Sequence, residues 1–143
     1  MTVPVWMLLG FAAWTVILLL ATVGVYRWSR ILTGRVPIRD FRADQVEGED
    51  WYRRAMRAHA NCIENLPVFG AIVLALYVGG VRGPAANYLS ITVLLVARVM
   101  QSLIHVCFVQ TNAVVAVRFS FYSVQLVSFI ALTVLIVRHV GLT

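Results

Sequence analysis

The stretch RAMRAHANCIENLP, residues 54–67, sets two arginines, a histidine, two asparagines and a glutamate directly in front of VFGAIVLALYVGG, which carries no charge. Charge at membrane depth costs roughly 2.5–3.5 kcal/mol per residue on insertion scales, so such residues persist where they face a protein interior or a water-filled cavity. A helix turns about 100° per residue. At that spacing Asp50, Arg53, Arg54, Arg57, Asn61, Glu64 and Asn65 share one stripe, with Ala55, Met56, Ile63 and Leu66 on the other side. His59 falls off the stripe and suits a different contact. Arg57 and Glu64 could form a structural ion pair, with Asn61 tethering a neighbouring helix. That reading leaves the surplus of arginine unexplained. Several guanidinium groups around one carboxylate suit an anionic ligand whose carboxylates or thiolate meet arginine and whose ammonium meets Glu64.

Two further segments repeat the pattern on a smaller scale. Arg98, Gln101, Ser102 and His105 recur at i, i+3, i+4 and i+7, and Arg118, Tyr122 and Gln125 at i, i+4 and i+7. Each set occupies one helical face. Polar faces on three helices at one level imply a shared polar cavity, with Arg98 the deepest member. The two cysteines, Cys62 and Cys107, stand apart in apolar segments with no CxxC spacing, which argues against a zinc site and a thiol–disulfide centre and leaves packing as their role. No metal is expected.

The elements that must hold these residues are membrane spans. Of the 143 residues 61% are hydrophobic and 13% charged, with mean hydropathy +0.85, whereas a soluble domain carries about a quarter charged residues. The sequence therefore reads as an all-α integral membrane protein, a single bundle of four helices. At about 20 apolar residues per span, the spans fall near 5–26, 50–78, 85–108 and 113–138, with a polar loop over 27–50. The first span has no basic segment before it and ends in Tyr26, Arg27 and Trp28, an interfacial anchor rather than a cleavage site. All twelve basic residues are arginine, and all six acids lie between Asp40 and Glu64. The arginines cluster beside spans, which points to membrane topology and anionic lipid rather than nucleic acid. Five of them lie in the first loop, against Arg82 alone in the second. That asymmetry predicts a cytoplasmic first loop with both termini on the other side.

RAHANCIENLP resembles the signature of the MAPEG family, membrane-associated proteins in eicosanoid and glutathione metabolism. The resemblance extends over nearly the whole chain: four spans, a basic first loop, Arg-x-His-x-Asn-x-x-Glu-x-x-Pro opening the second helix, Arg98 in the third, and Arg118 with Tyr122 in the fourth. It implies a homotrimer with glutathione as co-substrate, bound between subunits and open to the cytoplasm. Carried over by position, Arg57, Asn61 and Glu64 would hold glutathione, with His59 as their neighbour. Tyr122 would lie beside it, Arg39 or Arg35 would cover a carboxylate from the loop, and Arg118 would stabilise the thiolate. Arg98, Gln101 and His105 would line the pocket. The chain departs from eicosanoid-handling relatives at His105, where several carry tyrosine, at Ala60, and in a longer interval between Arg98 and Arg118. A prokaryotic-type member with general glutathione-linked activity fits these departures better than leukotriene or prostaglandin synthesis, and in a bacterium it would occupy the inner membrane.

The mechanism that this resemblance implies is economical. A free thiol has a pKa of about 8.5, and adjacent positive charge raises its thiolate fraction at neutral pH. Arg118 would supply the charge, and the thiolate would attack a hydrophobic electrophile from the bilayer or reduce a lipid hydroperoxide. The alternative is a MAPEG-like membrane protein without catalysis, binding or transporting an organic anion. A membrane haem protein using His59 and His105 is a further rival, weakened by the position of His59 off the polar stripe.

Overall fold

The computed structural model describes residues 1–42 and 46–141. Four long helices dominate it: α1 (Val3–Leu32), α2 (Asp50–Val78), α3 (Pro84–Cys107) and α4 (Asn112–Gly141). Each is long and apolar enough to cross a bilayer. No strand occurs among the described residues. The chain is an all-α, multi-pass integral membrane protein.

Local chemistry accounts for the helix ends. Pro4 and Pro84 stand in the first turns of α1 and α3, where the missing N–H leaves no bond unmade. Asp50 places a carboxylate at the positive end of α2. The C-terminus of α2 closes with Gly80 at φ +65° and the Val81 N–H donating to the Leu76 carbonyl at 3.0 Å, which is the Schellman pattern. Two stretches, Leu19–Gly24 in α1 and Thr92–Met100 in α3, are wound wider, as π-helix. Pro67 sits inside α2 and removes one of its backbone bonds.

The α1 helix runs to Leu32, so the polar loop expected over 27–50 is shorter than the sequence indicates. A run of arginines reads as loop, yet aromatic rings hold it in helical form. Tyr26 stacks on Tyr52 of α2 with centroids 4.0 Å apart and meets Trp51 edge-on at 5.3 Å. The Arg27 Nε donates to the Tyr52 hydroxyl at 2.8 Å, and the Arg30 guanidinium lies 4.3 Å from the centre of the Tyr26 ring. Arg30 is also ion-paired with Glu49, whose other oxygen accepts from the Trp51 indole at 2.7 Å. After Leu32 come a turn and a short 3-10 segment, Ile38–Asp40. Residues 43–45 of the expected loop lie outside the described residues.

Between lipid-facing helices there is little hydrophobic gain to be had, so close packing and internal hydrogen bonds must hold the bundle. Phe69 of α2 is fully buried between Phe11 of α1, 5.9 Å away, and Phe129 of α4, at 6.0 Å. Ala55, Ala58 and Cys62, all buried, form the small-residue face of α2. At Gly10 a Cβ would come within 2.8 Å of a terminal methyl of Leu94, so α1 and α3 meet closely there and a larger residue would require the Leu94 side chain to shift.

Candidate functional site

Deep in the bundle, Arg98 is 1% exposed. An unpaired buried charge is among the most expensive features a fold can carry. Here neutral carbonyl dipoles surround it. Its Nη1 donates to the Asn61 carbonyl at 3.1 Å, and its Nη2 donates to the Gln101 side-chain oxygen at 2.8 Å and to the side-chain oxygen of Gln125. The Phe11 ring lies 5.6 Å from its guanidinium carbon, adding a cation–π contact. The network continues outward from these partners. Gln125 donates to Asn65 at 2.8 Å, Asn65 donates to the Asn61 carbonyl at 2.7 Å, and Gln101 donates to the Arg118 carbonyl at 3.4 Å. Four side chains from three helices are thereby held in one arrangement.

That arrangement forms the floor of a cavity of about 470 Å³ between α2, α3 and α4, within the range of small-molecule sites. Asn61, Glu64 and Asn65 enter it from α2, Arg98 and Gln101 from α3, and Val115, Arg118, Phe119 and Tyr122 from α4. The polar stripes of three helices meet, as their spacing suggests. Asn65 belongs to the stripe read from sequence but was not expected at the site. Val115 and Phe119 gave no signal, because an apolar residue lining a cavity and one facing lipid look alike in a membrane helix.

The remaining expected residues lie elsewhere. Arg57 is not part of the cavity wall but lies within electrostatic reach of Arg118. His105 is buried and does not line the space, although Arg118, Arg57 and Arg54 all act on it electrostatically. His59 turns toward the Thr15 backbone of α1, as its position off the stripe implies, and its Nδ1 is buried without a partner. Arg39 lies in the loop, its side chain 88% exposed and 3.8 Å from Asp40. Within one subunit neither His59 nor Arg39 is part of the cavity wall.

The charges at the cavity are not balanced. Ion pairs among the described residues join Arg30 to Glu49, Arg39 to Asp40, and both Arg53 and Arg54 to Asp50. None involves Arg57, Glu64 or Arg118, so a structural Arg57–Glu64 pair is not formed. The Arg118 Nε is buried with no acceptor. Arg118 and Glu64 thus face a space with amide groups in its wall and Arg57 within electrostatic reach, a set suited to an anion that also carries a cationic group.

A sequence model of the MAPEG family matches residues 3–138. The chain belongs to the MAPEG family. MAPEG proteins include glutathione transferases and glutathione peroxidases. No curated protein and no solved structure matches the chain.

Proposed function

We propose that this MAPEG protein is a membrane-bound glutathione transferase or peroxidase, and that the cavity between α2, α3 and α4 holds glutathione. The observation that carries this reading is the unpaired Arg118, half-buried with Arg57 close by, at a cavity whose carboxylate, Glu64, is also free of any ion pair among the described residues. Glutathione has two carboxylates, one ammonium and one thiol. Its charges complement two arginines and one glutamate.

In this reading Glu64 accepts from the ammonium, Arg57 neutralises a carboxylate, and Asn61, Asn65 and Gln101 meet peptide groups. Arg118 holds the sulfur in its ionised form, since a full charge in a water-poor site stabilises a thiolate far more than it would in bulk water. Glutathione supplies the nucleophilic or reducing sulfur. Phe119 and Val115 give the cavity an apolar wall, against which a hydrophobic electrophile or a lipid hydroperoxide from the bilayer would lie. Glu64, Tyr122 and Phe119 are exposed in the single subunit. Lipid does not cover a charged surface, which supports a homotrimer whose neighbouring subunit closes the cavity and brings its own Arg39 to it. The arginines of the first loop support an orientation with the cavity toward the cytoplasm, in the inner membrane if the host is a bacterium.

Rapid mixing with glutathione, followed by ultraviolet absorbance, tests the proposal. Thiolate should appear at neutral pH, and turnover should follow with a hydrophobic electrophile or a hydroperoxide. Thiolate without turnover would favour a non-catalytic anion-binding protein, and no thiolate at saturating glutathione would remove the proposal.

A further inference from the structure

A second cavity, of about 550 Å³, opens at the other end of the bundle, between the start of α1 and the end of α2. Its walls are apolar, built from Val5 and Leu8 of α1 and from Val73 and Leu74 of α2. Gly70 lies on its floor, where a Cβ would meet only the Leu8 side chain, at 3.9 Å. The absent side chain keeps the groove open. Leu74 and Tyr77 are each 62% exposed, so one long side of the groove faces the surroundings of the protein.

A cationic side chain stands at the mouth, beside Met1 and Thr2. Arg82 lines the groove, and the turn that carries it is built tightly. Gly80 and the Val81-to-Leu76 hydrogen bond end α2 immediately before it, Val81 packs against the core, and Gly83 at φ +143° turns the chain into α3 immediately after it. Arg82 has no ion pair or hydrogen bond among the described residues. Among the described residues no Asp or Glu side chain is near, because each lies at or before Glu64 and most lie at the far end of α2, a helix about 40 Å long. Tyr77, beside Arg82 in the groove lining, is of the type that settles at the level of lipid headgroups.

We infer that this groove is a binding site for an anionic phospholipid of the surrounding bilayer. The acyl chain lies over Gly70 between α1 and α2, and the phosphate meets Arg82. An apolar trough with an unpaired guanidinium, carried on a tight turn at its interfacial end, complements such a lipid in both shape and charge. A zwitterionic lipid would fill the trough but would bring its own cation to Arg82.

The test uses the full-length protein purified in detergent, offered phosphatidylglycerol and phosphatidylcholine of identical acyl chains, with retained lipid counted by native mass spectrometry. Phosphatidylglycerol should be retained with a preference of roughly fivefold, the factor given by the attraction of about one basic residue to an anionic headgroup. Arg82→Gln should abolish the preference while leaving helicity unchanged. Gly70→Leu, which fills the trough, should reduce retention of both lipids. Equal retention of the two lipids, or a preference that survives Arg82→Gln, would overturn the assignment. So would a Gly70→Leu protein that keeps its lipid but changes its number of subunits, since a second copy would then be the occupant.

Discussion

Arginines are used in opposite ways at two places in this molecule. Where α1 meets α2, Arg27 and Arg30 are saturated by a tyrosine hydroxyl, aromatic faces and Glu49. Around the cavity between α2, α3 and α4, Arg57 and Arg118 have no such partners among the described residues. The first region stores its charge in the fold and the second leaves it for something else. The difference teaches that arginine count says little about function in a membrane protein, whereas the arginines left without a partner say a good deal. Arg98 lies between the two cases, fully buried, with both Nη groups donating to neutral oxygens and its Nε left without an acceptor.

Substitutions should separate these roles, and the largest effect belongs to Arg98. Arg98→Leu strands acceptors on Asn61, Gln101 and Gln125 at about 1–3 kcal/mol for each group left unsatisfied, and should prevent stable folding or sharply lower the denaturant midpoint. A variant as stable as the parent would show that the network is not what holds the three helices together. Arg118→Leu is expected to do the reverse. No side-chain bond is lost with it, so stability should hold while turnover falls by about 10²–10³, the usual result of removing one electrostatic stabiliser. Its kcat should fall more than its affinity for glutathione, and the thiolate titration should move to higher pH. A titration that overlays the parent's would take Arg118 out of the chemistry. Tyr52→Phe is the smallest change. It removes the acceptor of Arg27, a bond to a charged group worth about 1.5–3 kcal/mol, and should lower the unfolding midpoint with turnover untouched. Were turnover to fall in step with stability, the two regions would be coupled and the contrast between them false.

Much of this was legible in the sequence because helical periodicity is strong when lipid forces the non-polar faces to be so uniform. The stripe from Asp50 to Asn65, the faces carrying Arg98 and Arg118, and the divergence of His59 all follow from spacing alone. Other features depend on which residues meet across the bundle, and spacing does not report that. The arginines at 27 and 30 looked like loop because their ring partners, Tyr26 and Tyr52, are far apart in the chain. That His105 is covered rather than lining the cavity, and that Gln125 reaches both Arg98 and Asn65, are also products of packing. The match of residues 3–138 to the MAPEG family agrees with the resemblance carried by the motif in α2.

Pro67 has a mechanical consequence. It stands between the polar half of α2, which reaches the cavity through Asn61, Glu64 and Asn65, and the apolar half, which is wedged by Phe69 between Phe11 and Phe129. A proline has no N–H for the carbonyl one turn earlier, so bending stiffness is lowest there. The aromatic wedge acts as a clamp on one side of that weak point, and the cavity wall on the other side is the lever arm. Any bend of α2 at Pro67 would therefore move the cavity wall relative to the half held between Phe11 and Phe129.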